Sequence, residues 1–214
     1  MKKFIFLLLA AVSLQAATFA QSDKYAATMQ KNLAMFDSAK TAEDFTKLAN
    51  TFERIGDAEK TQWLPYYYAG LALTTAGWMP TLKDKDGNAT KINALCDKAE
   101  SIATADADKA EILSVRNMAA TQQMLVDPQS RYMSYGATAN QVLEKAIKLD
   151  PNNPRLYYLQ GMSLFGTPEQ FGGGKAKAKP VFEKAVELYK QAKPKDLYPR
   201  WGQQQAEEMV KQCQ

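Results

Sequence analysis

The most informative absence in this 214-residue sequence is histidine, of which there is none. Without histidine, a serine or cysteine nucleophile has no imidazole to act as its general base, so Ser–His and Cys–His catalysis are excluded. Aspartate and glutamate are common, but most lie on predicted charged helix faces, where solvation explains them. We therefore expect no catalytic residue and no cofactor, and a protein that is not an enzyme.

Cysteine is almost as scarce, since Cys96 and Cys213 are the only two. Two thiols without histidine are too few ligands for a structural zinc ion, so no metal site is predicted. In an oxidising compartment the two thiols would close a long loop if they formed a disulfide. A fold of this size does not need such a bridge, and the sequence leaves their pairing open.

A long hydrophobic run is also missing, because no segment after the first 20 residues is long and apolar enough to span a bilayer. The one apolar run, Phe4–Val12, is too short for a stable transmembrane helix. Lys2 and Lys3 precede it, and the small side chains of Thr18 and Ala20 have the spacing of a cleavage site. We therefore predict a signal peptide that ends at Ala20, no stable membrane span, and a periplasmic or secreted protein.

Strong charge of one sign is absent as well. Removal of the predicted signal peptide, residues 1–20, leaves 25 basic and 23 acidic side chains, and the lysines are spread along the chain. Such a balance argues against nucleic acid as a partner. The remaining residues, 21–214, have a length that suits one domain or one compact repeat array.

What the sequence does contain is helical periodicity. Apolar residues recur at helical spacing in nearly every segment, and no stretch alternates apolar and polar residues as a strand does. Helical segments of similar length with short connections predict an all-α fold of stacked antiparallel helical hairpins. The predicted helices are 23–38, 41–56, 62–77, 89–104, 106–126, 134–149, 153–165, 175–191 and 199–212.

The clearest repeat lies in residues 137–190. Small and large side chains recur there at matching intervals. The small side chains let two antiparallel helices approach closely, and the large ones fill the groove beside them. The repeated positions are Ala139, Leu143, Ala146 and Leu149 with Pro151, then Tyr157, Gly161 and Leu164, and then Ala178, Phe182, Ala185 and Leu188.

This pattern resembles the tetratricopeptide repeat (TPR). The resemblance implies a TPR-like superhelix over residues 21–214, with about four hairpins and a closing helix. Four segments that span almost the whole mature chain are also similar to those of a group of exported TPR-type proteins from Gram-negative bacteria, which implies a fold and no catalytic residue. The segments are FERIGDAEKTQWLPYYYA, VDPQSRYMSYG, NPRLYYLQGMSLFGTPEQFGGGKAKAKPVFEKA and YPRWGQQQAEEMVKQC. One repeat is similar to the TPR component of TRAP-type transporters.

Three consecutive glycines before a lysine suggest a phosphate-binding loop. A P-loop requires Gly-Lys followed by Ser or Thr, and a further glycine five positions before the glycine of Gly-Lys. Here Gly174 and Lys175 are followed by Ala176, and Glu169 occupies the position of the earlier glycine. We therefore predict that Thr167–Lys175 is an extended loop between two helices and not a nucleotide site.

The segment around Gly87 has part of the pattern of a calcium-binding loop. Asp84, Asp86 and Asn88 alternate on either side of the glycine. A complete loop would place a bidentate glutamate at its twelfth position, but Leu95 stands there. We predict a solvated turn and no bound calcium.

Aromatic residues cluster in two places, WLPYYY and LYYLQ. Neighbouring residues on a helix point about 100° apart, so adjacent tyrosines cannot all face one core. If Tyr66 and Tyr157 are buried, Tyr67 and Tyr158 face another direction. In a TPR-like stack the first helix of each hairpin lines the concave surface, so we predict that Tyr67 and Tyr158 lie on it.

The repeat spacing is less regular in the middle hairpin. With that looser register, Arg116 and Gln123 also face the concave surface. Tyrosine and arginine are favoured where protein surfaces meet. We therefore predict a periplasmic TPR-type binding or scaffold protein that holds a protein or peptide partner on a concave groove formed by Tyr67, Arg116, Gln123 and Tyr158. The alternative is a solute-binding accessory of a transporter, with a small ligand in the cavity.

Overall fold

The computed structural model describes residues 23–214, and every regular element in that range is helical, which confirms the predicted all-α class. The predicted signal peptide lies outside the described residues. Within them, no helix is long and apolar enough to cross a bilayer. The helices are α1 (23–38), α2 (Ala42–Glu59), α3 (Leu64–Trp78), α4 (Lys85–Ile102), α5 (Asp106–Val126), α6 (Pro128–Arg131), α7 (Ala137–Leu149), α8 (Pro154–Gly166), α9 (Lys175–Gln191) and α10 (Gln203–Gln212). A π-helical turn, Tyr132–Gly136, joins α6 to α7.

Side-chain caps determine where several helices begin. The N–H of Asp44 donates to Thr41 Oγ1 (3.1 Å), and the Asp44 carboxylate accepts from the Thr41 N–H (3.0 Å), which forms a capping box before α2. Asn153 Oδ1 accepts from the N–H of Arg155 (3.0 Å) at the start of α8. Pro154 is the first residue of that helix, where its missing N–H costs little.

Two predicted boundaries were wrong for identifiable reasons. α4 begins at Lys85, four residues before the predicted start, because Asp84 caps it by accepting the N–H of Gly87 (2.8 Å). The segment predicted as a solvated turn is therefore the first turn of a helix. α10 begins at Gln203 and not at 199, because Gly202 has a positive φ of 104° that a continuing helix cannot adopt.

The helices stack as successive hairpins around one central helix. α3 packs with α4, α5 with α7, and α8 with α9, while α10 packs on α9. α3 also contacts α2 and α5, so it has neighbours on all sides, and every residue from Leu64 to Thr74 is buried. A helix that is apolar all round belongs in the interior, which explains why three adjacent tyrosines can occur in it.

A small residue allows α8 and α9 to approach each other. A Cβ at Gly161 would lie 2.5 Å from the ring of Phe182, which is fully buried. Ala178 and Ala185, one turn away on either side of Phe182, are also fully buried. The small and large positions noted in the repeat are thus the contact positions of this hairpin.

The two cysteines are free and lie in different parts of the core. Cys96 packs in the core cluster that contains α3, and Cys213 packs beside Phe182 in a separate cluster. Burial raises the pKa of the Cys96 thiol to about 12, so it stays protonated at neutral pH. The possibility of a disulfide, which the sequence left open, is therefore not realised in this structure.

We expect Gly161→Ala to destabilise the protein and Gly166→Ala, in the same helix, to leave it unchanged or slightly more stable. A methyl group at Gly161 would collide with Phe182, whereas nothing lies within 4 Å of the corresponding position at Gly166. Overpacking of this kind costs about 1–3 kcal/mol, and alanine favours a helix over glycine by about 0.5–1 kcal/mol. Urea denaturation of the two variants checks this, and equal free energies of unfolding would contradict the close approach of α8 and α9.

Candidate functional site

The segment between α9 and α10, residues 192–202, crosses the first helices of the hairpins. We call it the C-terminal segment. Tyr68 Oη donates to the carbonyl oxygen of Leu197 (2.8 Å), and the ring of Tyr198 packs edge-on against Trp63 at 5.7 Å between centroids. The segment therefore covers the start of α3.

Trp201 of the C-terminal segment contacts both tyrosines that were predicted to face a groove. Its Nε1 donates to Tyr67 Oη (2.8 Å), and its ring lies edge-on to Tyr158 at 6.4 Å between centroids. Tyr67 is 0% exposed and Tyr158 is half-buried. The prediction that Tyr67 lies on an open groove was wrong, because the chain's own C-terminal segment occupies that surface.

Arg116 and Gln123 lie on a different side of α5. Arg116 forms ion pairs with Asp97 and with Glu100 (2.9 Å) on α4, and Gln123 Nε2 donates to Asp86 (3.3 Å) at the start of α4. The structure thus brings Tyr67 and Tyr158 together through Trp201 but places neither Arg116 nor Gln123 beside them. The register prediction for these two residues was wrong, because their face of α5 packs against α4.

A buried ion pair joins α5 and α8 beneath the C-terminal segment. Glu111 is 4% exposed, and its two carboxylate oxygens accept from Nε of Arg155 at 3.0 and 2.9 Å. Asn153 Nδ2 also donates to Glu111 Oε1 (2.6 Å), and Arg155 Nη1 donates to the carbonyl oxygen of Pro199 (3.2 Å). Burial, the largest single effect, acts to lower the pKa of Arg155, but the charge and the hydrogen bonds of Glu111 together with smaller contributions from Tyr67 and Tyr189 outweigh burial and raise this pKa.

A cleft of about 420 Å³ opens beside this ion pair, between α5, α8, the end of α9 and the C-terminal segment. Arg155, Lys193 and Arg200 line it together with the carboxylates of Glu111 and Asp150. Since Glu111 is neutralised by Arg155, the remaining charges are two exposed cations against one carboxylate. The apolar and aromatic side chains that line the cleft are Ala107, Pro154, Tyr189, Ala192, Pro194, Tyr198 and Pro199.

The two phenols of the cleft are engaged as hydrogen-bond donors. Tyr189 Oη donates to the carbonyl oxygen of Trp201 (3.0 Å), and Tyr198 Oη donates to Asp108 Oδ1 (2.9 Å). Burial and the bond to Asp108 raise the pKa of Tyr198 to about 12, and burial likewise raises the pKa of Tyr189. Both phenols are therefore neutral at physiological pH, and they offer aromatic surface but no anionic oxygen.

No group of three or more potential metal ligands occurs in the part of the chain that the structure describes. The cleft combines aromatic walls with a few cations, which suits binding of an apolar ligand that carries negative charge. Sequence reasoning missed it, although the alternation of lysine, proline and aromatic residues in AKPKDLYPRW indicated that this segment is not a simple linker.

A second exposed feature lies where α3 and α5 end. Gln122 Nε2 donates to the carbonyl oxygen of Thr74 (2.7 Å), which holds these helix ends together. Large apolar side chains are exposed there and in the π-helical turn that follows α6, and Met133 is the most exposed, at 83%. We call this group the apolar end surface; its members are Trp78, Leu125, Val126, Tyr132 and Met133.

Neither a protein-family model nor a curated protein matches this sequence, so the TPR resemblance stays a prediction. A solved structure does match, that of the HusA haemophore from Porphyromonas gingivalis, with a TM-score of 0.80 and 36% sequence identity. The alignment covers 88% of this chain and 92% of that chain. The likeness therefore extends over nearly the whole of both chains.

We expect Glu111→Gln to reduce the free energy of unfolding by about 3–5 kcal/mol, because it leaves the buried guanidinium of Arg155 without its counter-charge. The matched control is Glu43→Gln, which breaks the exposed pair with Lys47 (2.7 Å) and should leave the free energy of unfolding nearly unchanged, because water screens that pair. Urea denaturation measures both. A double variant, Glu111→Leu with Arg155→Leu, should be more stable than Glu111→Leu alone. A cost for Glu111→Gln no larger than that of the control would contradict the structural role of the pair.

Proposed function

Because this chain belongs to the same protein family as the HusA haemophore, we propose that it binds a haem-class ligand. A haemophore is a protein that captures haem, a planar apolar macrocycle with carboxylate substituents. A binding role suits the chain, which has no histidine to serve as a catalytic base. The proposal is a sharper form of the small-ligand alternative that the sequence suggested.

The cleft beside the C-terminal segment is the observation that carries this proposal. Its volume of about 420 Å³ lies in the range of typical small-molecule sites. The proline and tyrosine side chains of its walls offer apolar contact to a flat macrocycle. Lys193 and Arg200 are exposed and line the same cleft, so they can pair with the carboxylates of the ligand.

We infer that the macrocycle is held through its faces and carboxylates and not through its metal. The chain has no histidine, the commonest axial ligand of haem proteins. The phenols of Tyr189 and Tyr198 are already engaged as donors and stay protonated, which disfavours them as iron ligands. A metal-free porphyrin should therefore bind as well as haem does.

The remaining features of the sequence complete this proposal. The signal peptide predicted for residues 1–20 would export the protein to the periplasm or beyond, where a ligand-capturing protein meets its ligand. The helical hairpins of residues 21–214, which resemble TPR units most clearly in 137–190, would serve as a rigid frame for the cleft.

A second candidate function is the binding of a protein or peptide partner, as in a periplasmic TPR-type scaffold. The observation that favours it is the apolar end surface. Five large apolar side chains are about half or more exposed there, whereas the surface of a monomeric protein seldom groups them. Trp78 and Tyr132 are residue types that often anchor protein interfaces.

We predict that Lys193→Gln combined with Arg200→Gln weakens porphyrin binding by about 2- to 30-fold, because each exposed ion pair contributes about 0.2–1 kcal/mol. Titration of the exported chain with protoporphyrin, followed by absorbance and tryptophan fluorescence, measures this. The matched control, Lys31→Gln combined with Lys91→Gln, removes two exposed lysines of α1 and α4, neither of which lines the cleft, and should leave the affinity unchanged.

Haem and metal-free protoporphyrin should bind with similar affinities in the same titration. The proposal of metal-independent binding is wrong if only the iron-containing ligand binds. The cleft assignment is wrong if porphyrin binds and the cleft variant behaves like its control. The haem-class proposal itself is wrong if neither porphyrin binds.

For the second candidate, we expect a photo-crosslinking residue at Met133 to capture one defined envelope polypeptide in intact cells. The same residue at Lys31, which is also exposed but lies in α1, serves as the control and should not capture it. With the captured polypeptide purified, Tyr132→Ala should weaken its binding by about tenfold or more, as expected for an interface anchor. Equal capture at both positions, or an unchanged affinity, would exclude the apolar end surface as a docking site.

A further inference from the structure

The loop between α8 and α9 presents a large aromatic side chain to solvent. Phe171 is 71% exposed and ends a 3-10 turn, Glu169–Phe171. The extended loop predicted for Thr167–Lys175 is confirmed, since α8 ends at Gly166 and α9 begins at Lys175. The ring of Phe171 therefore lies in water at the tip of this loop.

The loop is a defined structure and not a slack connection. Gly172 and Gly174 have φ angles of 84° and 92°, in the region that favours glycine. The N–H of Gly174 donates to the carbonyl oxygen of Leu164 (2.9 Å). The N–H of Phe171 donates to the carbonyl oxygen of Pro168 (2.9 Å). Hydrogen bonds and glycine geometry thus hold the loop in a form that projects Phe171 outward.

Three lysines follow Phe171 without acidic partners. Lys175 and Lys177 are exposed and Lys179 is half-buried, and none of the three forms an ion pair within residues 23–214. The first turn of α9 contains no acidic residue. Cations near a helix N-terminus oppose the helix dipole, so these lysines do not stabilise α9.

From this juxtaposition we propose that the loop tip, Phe171 with Lys175, Lys177 and Lys179, docks on the surface of an anionic lipid bilayer. Glu169 is the only carboxylate in residues 167–179, so the tip carries an excess of positive charge. Lysines near a bilayer are attracted to anionic headgroups, and an aromatic ring gains by entering the interfacial region.

A bilayer fits the tip better than an acidic protein does. A protein interface needs a broad apolar centre surrounded by polar residues. Here a single ring projects from a narrow loop, three lysines follow it within the next eight positions, and no other large apolar side chain is exposed within residues 167–191. This inference goes beyond the proposed function and does not depend on what the cleft binds.

The test is co-sedimentation of the exported chain, residues 21–214, with phosphatidylcholine vesicles that contain or lack phosphatidylglycerol. We expect binding to the anionic vesicles only, and weaker binding as salt is added. A triple variant, Lys175→Gln, Lys177→Gln and Lys179→Gln, should bind about tenfold or more weakly. Phe171→Ser should lower the partition coefficient by about tenfold, and Phe171→Trp should restore it.

A matched triple variant, Lys31→Gln, Lys91→Gln and Lys145→Gln, changes the net charge equally at exposed positions elsewhere and should bind like the unaltered protein. Thermal unfolding of each variant checks that the fold is retained. The proposal is overturned if the protein ignores both vesicle types, if it binds neutral vesicles equally well, or if the two triple variants behave alike. Binding of a soluble acidic polypeptide that the lysine triple variant loses, with no vesicle binding, would assign the tip to a protein partner instead.

Discussion

The pairing of Glu111 with Arg155 is the interaction on which the arrangement of the helices depends. Neither charge can be buried alone, because removing an unpaired ion from water costs several kcal/mol. Their burial therefore requires α5, α8 and the carbonyl oxygen of Pro199 to meet in one place. The Glu111 carboxylate can accept further hydrogen bonds, and it accepts them from Asn153 and from the hydroxyl of Tyr67 (3.4 Å). The pair thus specifies how the second half of the stack joins the first.

The same requirement explains why the C-terminal segment lies where it does. Pro199 brings its carbonyl oxygen to Arg155, and Trp201 then reaches Tyr67 and Tyr158. A surface that would be an open groove in a bare stack of hairpins is filled by the protein's own chain. What remains accessible is the cleft at the side of the segment, with cations at Lys193 and Arg200. Binding at this surface is therefore expected for a small ligand more than for a long peptide.

Sequence reasoning failed at the candidate site for a physical reason. Adjacent tyrosines on a helix do point in different directions, but in α3 none of those directions leads to solvent. α3 has α2, α4, α5 and the C-terminal segment around it, so Tyr66, Tyr67 and Tyr68 are all buried. Contacts between Tyr67 and Trp201 span 134 positions of the chain, and no local pattern reveals a contact of that separation. Arg116 was misplaced similarly, because its acidic partners lie on α4.

Local sequence patterns account for the all-α class, the approximate position of each helix other than α6, and the loop before α9, because these follow from periodicity, caps and glycine conformation. Where the caps or the glycine were overlooked, at Asp84 and Gly202, the boundaries shifted by four residues. Three features emerge in the folded chain alone: the C-terminal segment covers α3, Cys96 and Cys213 stay apart, and a cleft forms beside Arg155. These features depend on long-range packing and on the pairing of buried charges, and neither is encoded in the spacing of neighbouring residues.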